Sequence, residues 1–267
     1  MTDSRRGGAW WTAYECFAMV FGLGLLALGG LLWHPCALIL QLLLPRRIGQ
    51  PLGRRVIRRG FFFYVNVLEL FCGCRFDVDE LDQLRGQGPL LLAANHPSLL
   101  DAVLILSRVP DTVCVIKAAL MGNLLFGAAA RLARFIANDL PLTMILNSGE
   151  ELQRGAHLLI FVEGTRTSHF PLDPCLPTTG LISRRSGVAV QTLLIEFSTP
   201  YLGKHWPLSK RPHLPLCGRI RLGRRFPPPE DVVAFTRELE SYFRTELAPE
   251  ASTAVIRTAL PRTRNAH

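Results

Sequence analysis

His96 and Asp101 are the residues whose types and spacing could do chemistry, set in Asn95-His96-Pro97-Ser98-Leu99-Leu100-Asp101. A carboxylate that holds one nitrogen of a neutral imidazole leaves the other free to take a proton from a hydroxyl. The spacing alone is a weak motif, because an ordinary β-to-α turn with an acidic residue at the helix start would read the same way. The elements that must position the pair are legible on either side. Residues 90–94 are an unbroken apolar run, read as a buried strand, with Asn95, His96 and Ser98 at its polar end. Pro97 suits the first turn of a helix, where its missing N–H is no loss. The helix is therefore expected from Pro97, with Asp101 about one turn in and reaching back toward His96. A strand end, a turn and a helix start form the place where open α/β sheets bind ligands. Backbone N–H groups near Pro97 and Ser98 could stabilise an oxyanion there. For Asn95 and Ser98, turn and cap hydrogen bonds explain the residue types as well as a direct role does.

A second apolar run, 157–162, ends in Glu163-Gly164-Thr165-Arg166-Thr167. Gly164 permits a tight turn, the threonines offer hydroxyls, and Arg166 offers a planar fork suited to phosphate. The ordered pair, N-H-x-x-x-x-D followed by F-x-E-G-T-R, resembles the glycerolipid acyltransferase family of the 1-acylglycerol-3-phosphate acyltransferase type, over about residues 74–197. The resemblance implies an α/β fold with a central, mostly parallel sheet flanked by helices. It also implies acyl transfer from a thioester, acyl-CoA or acyl carrier protein as co-substrate, to a lipid hydroxyl. His96 and Asp101 would be catalytic, and Glu163, Gly164, Thr165 and Arg166 would bind the acceptor. No metal and no bound cofactor is expected. The family also places an arginine after an apolar stretch, to help hold the acceptor's phosphate; here that stretch ends in Asn138-Asp139-Leu140. The departure keeps open an acceptor that is not a glycerophosphate: an aminolipid, a glycolipid or a specialised pathway lipid. A non-catalytic membrane adaptor of the same fold, or a hydrolase that uses water, are the rivals.

The chain has 267 residues, enough for one large domain, and a formal charge of +9. Such a balance calls for an anionic partner, and aromatics do not interleave with the basic residues as in nucleic-acid modules, so membrane lipids are the expected partner and nucleic acid is not. The cysteines are odd in number and scattered, with no C-x-x-C, and read as buried thiols.

Residues 16–44 are almost wholly apolar, interrupted by glycines and by His34-Pro35, where a kink or break is expected. One upright span needs about 20 residues, so this length fits either one span plus a surface piece or a shallow helical hairpin. Arg46, Arg47, Arg54, Arg55, Arg58 and Arg59 follow, and place the segment at the cytoplasmic face of the inner membrane. The division expected is 1–71 as a membrane-embedded helical anchor with a basic flank, 72–248 as the acyltransferase domain, and 249–267 as a disordered basic tail. Within the domain, strands are expected over 75–79, 188–197 and around 219–222, and helices over 117–133, 143–153, 180–187 and 230–247. The 117–133 helix could face a membrane or an acyl chain, or lie in the core.

Overall fold

The computed structural model describes residues 8–207 and 209–248; the tail expected to be disordered lies outside them. In chain order the elements are α1 (Ala9–Leu43), α2 (Arg46–Phe71), β1 (Cys74–Asp77), a 3-10 turn (Asp79–Leu84), β2 (Leu91–Ala94), α3 (Leu100–Arg108), β3 (Thr112–Ile116), α4 (Ala118–Met121), α5 (Gly127–Ala133), β4 (Ile136–Ala137), α6 (Pro141–Gln153), β5 (His157–Phe161), α7 (Thr178–Ser186), β6 (Val190–Phe197), β7 (Leu216–Phe226) and α8 (Val232–Glu246). Seven strands form one sheet in the order β1-β7-β6-β2-β5-β3-β4, parallel at every pairing except β6 with β7. The chain leaves β2 toward β3 on one side and returns from β5 toward β6 on the other. The carboxyl ends of the neighbouring strands β2 and β5 therefore lie at a topological switch point, where open sheets receive ligands.

Period-two alternation sorts the central strands between two apolar layers. Leu92, Ala94, Leu159, Phe161, Leu193 and Ile195 face the layer built with α2 and α3. Leu91, Ala93, Leu158, Ile160, Val190 and Leu194 face the opposite layer with α7 and α8. Both faces are covered, which is why these strands read as continuous apolar runs.

The N-terminal helices share the first layer. Ala18, Tyr64, Val65, Leu68 and Cys72 belong to the same apolar cluster as the sheet, so the division expected at 71/72 is a change of element and not of core. The two helices run antiparallel, with Tyr14 Oη donating to the Phe71 carbonyl at 3.1 Å and Gly22 against Leu68. The break expected at Pro35 is absent, and α1 passes through it. Packing on both sides explains this. Gly30 lies against the Leu125 backbone and Ala37 is fully buried beside Ala128 and Leu132, enough to offset a cost of about 3 kcal/mol for a helical proline.

The helix expected over 117–133 is two pieces, α4 and α5. Asn123 divides them, its Oδ1 accepting from the N–H groups of Leu125 and Phe126. Strand β3 carried no distinct signal, because Thr-Val-Cys-Val-Ile is short and its buried half shows no alternation.

Candidate functional site

His96 lies just past β2, and its backbone N–H donates to Glu163 Oε1 at 2.9 Å from the turn after β5. Asn95 extends the strand by side chain: its Nδ2 donates to the Ile195 carbonyl and its Oδ1 accepts from the Ile195 N–H. Helix α3 starts at Leu100 and not at Pro97, so Asp101 falls in its first turn. The shift follows from Ser98, whose Oγ accepts from the Leu100 N–H and donates to the Tyr201 carbonyl, holding the chain short of helical geometry.

Asp101 Oδ2 takes two hydrogen bonds, from His96 Nδ1 at 2.9 Å and from the Ser98 N–H at 2.8 Å. The imidazole thus presents Nε2 outward, with 15% of the side chain exposed, while Asp101 is fully buried. Phe161, at the end of β5, stacks on the ring with centroids 3.7 Å apart and planes 11° apart. Burial pushes the Asp101 carboxyl up from its ordinary value; the His96 bond and charge, the Ser98 N–H and the Arg166 charge pull it back only in part. Such a carboxylate gains most when the ring beside it becomes positive, which is the electrostatic condition for a general base.

The oxyanion role expected of this turn is not available. Pro97 has no N–H, the Ser98 N–H is bound to Asp101, and the Leu99 N–H donates to the Leu202 carbonyl at 3.1 Å.

The second turn adjoins the first. Gly164 is left-handed (φ +67°), backbone that favours glycine, and a Cβ there would also push against the Leu176 side chain at 2.5 Å. The Glu163 carboxylate is buried and accepts three bonds: from His96 N, from Thr167 Oγ1 at 2.7 Å and from Asp173 N at 2.9 Å. Burial pushes Glu163 up and these donors pull it partly back. Its geometry braces the base, with both oxygens turned inward. Thr165 and Arg166 are half-exposed beside it. Arg166 Nη1 donates to the carbonyls of Leu202 and Gly203, each at 2.9 Å.

Neither arginine upstream of Asn138 replaces the absent one. Arg131 donates to the Met121 carbonyl, and Arg134 pairs with Glu150 at 2.9 Å and Glu151 at 3.2 Å. Asn138 Oδ1 itself accepts from the Ala118 N–H. Sequence reading quoted Phe161 in the F-x-E-G-T-R motif but gave it no role, and it missed Asp173 and the 201–203 segment.

A family model described as Acyltransferase matches residues 75–196. Among solved structures, the 1-acyl-sn-glycerophosphate (LPA) acyltransferase PlsC from Thermotoga maritima is similar to this chain, with a TM-score of 0.62 and 15% identity, over 93% of this chain and 98% of that one. No curated protein matches the chain by sequence. The paired motifs are thus brought together at the β2 and β5 ends of a PlsC-like fold, inside the segment 75–196 that is similar to the Acyltransferase family.

Proposed function

We propose that the chain moves a fatty acyl group from acyl-CoA or acyl carrier protein to a hydroxyl of a lysophospholipid or related lipid, at the cytoplasmic face of a membrane. The observation that carries this reading is the His96 Nδ1–Asp101 Oδ2 bond of 2.9 Å inside the matched segment. His96 Nε2 takes the acceptor's hydroxyl proton as its oxygen bonds to the thioester carbonyl carbon. The C–S bond then breaks and the imidazolium returns the proton to the departing thiolate. Asp101 holds the ring and stabilises the imidazolium. The turn of Glu163, Gly164, Thr165 and Arg166 borders the acceptor. Because Arg131 and Arg134 are both engaged, a phosphodiester headgroup or a less charged acceptor fits as an alternative to lysophosphatidic acid.

Helix α1 supports membrane association. It is long and apolar enough to cross a membrane by length and composition, but at 35 residues it spans about 50 Å, against an apolar membrane core of about 30 Å. Both of its ends are tied to the protein: Glu15 pairs with Arg211 at 3.2 Å, and Gln41 donates to the Ala128 carbonyl at 2.9 Å. Phe17, Val20, Leu28, Leu31, Leu32 and Ile39 remain exposed on it. The helix accordingly lies against the membrane along this face, with the exposed Arg46, Arg47, Arg55 and Arg59 toward anionic headgroups.

The test is a panel of lysolipid acceptors with acyl-CoA and acyl carrier protein donors, reading free thiol and acylated lipid together. Equal release of both supports transfer. Thiol without acylated lipid would make the chain a thioesterase and overturn the reading.

A further inference from the structure

The segment 201–205 crosses directly over the catalytic turn. Ser98 Oγ donates to the Tyr201 carbonyl at 2.7 Å, the Leu99 N–H to the Leu202 carbonyl, and Arg166 Nη1 to the carbonyls of Leu202 and Gly203. Two residues in it that are not glycine, Leu202 (φ +52°) and His205 (φ +60°), hold left-handed backbone. Each costs on the order of 1 kcal/mol, and such residues persist where the surroundings over-determine them, often at functional sites. Gly203 lies so close that a Cβ on it would stand 3.3 Å from the Pro97 carbonyl oxygen, one residue from His96. Lys204 follows within a residue spacing of about 3.8 Å, so its side chain has the reach to meet a group held at His96.

Along the chain, the charged residues on either side of it are all basic. No Asp or Glu occurs between Glu196 and Glu230. The other cations of that stretch have partners. Arg211 pairs with Glu15, Arg219 with Asp77, Arg221 with Glu246 and Arg224 with Glu238, while Arg225 donates to Gln191 and Lys210 stands over Trp206. Lys204 has no ion pair among the described residues.

We propose that 201–205 is a phosphate-ester subsite in which Lys204 is the cation and Arg166 a positioning residue that clamps the loop. The ligand is a phosphate of the lipid acceptor's headgroup or of the donor's phosphopantetheine arm. This deepens the acyl-transfer reading and rests on it for the identity of that ligand. A lysine here supplies the charge that no arginine near Asn138 provides, as a point charge and not a bidentate fork.

The test uses the full chain in neutral detergent micelles, titrated separately with glycerol 3-phosphate and with coenzyme A. Binding is followed by fluorescence, since Trp206 packs edge-on against Tyr201 at 5.7 Å and reports on the loop. Lys204→Ala should raise the midpoint about tenfold, and Lys204→Arg should restore most of it. A shift for glycerol 3-phosphate alone assigns the subsite to the acceptor, and one for coenzyme A alone to the donor. In turnover, Lys204→Ala should lower the ratio of kcat/KM for lysophosphatidic acid over monoacylglycerol, or raise the donor KM, to match. Unchanged midpoints for both probes, or a loss that Lys204→Arg does not restore, would overturn the proposal. Probe binding needs no turnover, so absence of acyl transfer in the wild type would sink the functional reading and leave this one standing.

Discussion

Burial pushes the Asp101 carboxyl up, so a positive charge on His96, 2.9 Å away, stabilises the carboxylate, and in the proposed reaction the ring gains that charge when it takes the acceptor's proton. Asp101→Asn should therefore cost roughly 10² to 10⁴ in kcat, by losing both the ring's orientation and its counter-charge. The loss should not add to that of His96→Ala when the two are measured singly and together. Glu163 acts one step back. All three of its hydrogen bonds are accepted, and Glu163→Gln would turn an NH₂ toward one of those donors. About 1–3 kcal/mol should be lost in urea unfolding, together with a drop in kcat. Asp173 gives a signature in pH. Burial pushes it up, but the N–H groups of Ser168 and His169 and the His169 ring outweigh this and hold it down at about 2, against an ordinary 3.8. A depressed carboxyl adds stability above its ordinary value and loses it as pH falls through the folded one. The stability gap between wild type and Asp173→Asn should stay constant at neutral pH and close between about pH 4 and pH 2. Asp101, which is raised, cancels in that difference, whereas Glu163, which the Asp173 charge helps to raise, shifts with the substitution.

At the scale of elements, one buried arginine joins the N-terminal helices to the sheet domain. Arg54 of α2 donates to the Ala133 carbonyl at 3.0 Å, pairs with Asp111 at 2.9 Å and contacts the buried Glu151 of α6. Removing one partner of a buried pair costs about 3–5 kcal/mol. Arg54→Ala should fall near the lower figure, because Arg134 and Arg154 still neutralise Glu151; chemical denaturation measures it. Arg54 stood in the sequence as one of six clustered arginines, and nothing in its spacing separated it from its exposed neighbours. The strands of the site were legible because burial on both faces leaves an unmistakable apolar run before His96 and before Glu163. Helix α8 was legible from its amphipathic pattern, with Asp231 capping the N–H groups of Val233 and Ala234. The start of α3 was misjudged by three residues, since Pro97 fits a helix start and only the long-range bond from Ser98 to Tyr201 displaces it. Tyr201 and its neighbours were illegible for the same reason: their roles are made by contacts about a hundred positions away in sequence.

At the scale of the molecule, the N-terminal hairpin is part of the enzyme's body and also its apolar face. Membrane-bound protein should resist extraction by high salt and yield to detergent, because the exposed face of α1 is apolar while only the arginine contribution is screened. Complete release by salt alone would contradict this. Deleting residues 1–60 should not give a soluble catalytic domain. It removes Arg54 from beside Glu151 and uncovers Tyr64, Leu68 and the sheet face beneath them, so the expected product is misfolded and inactive, as circular dichroism and an acyl-transfer assay would read.

In the proposed reaction His96 takes the proton of an acceptor hydroxyl while a thioester is attacked. The most direct measurement is acyl transfer by purified wild type and His96→Ala, under saturating acyl donor and the best acceptor of the panel, with circular dichroism and vesicle binding recorded on the same samples. His96→Ala should keep its fold and its membrane binding and lose transfer by at least about 10²-fold. Turnover near the wild-type rate in a folded His96→Ala protein would contradict it.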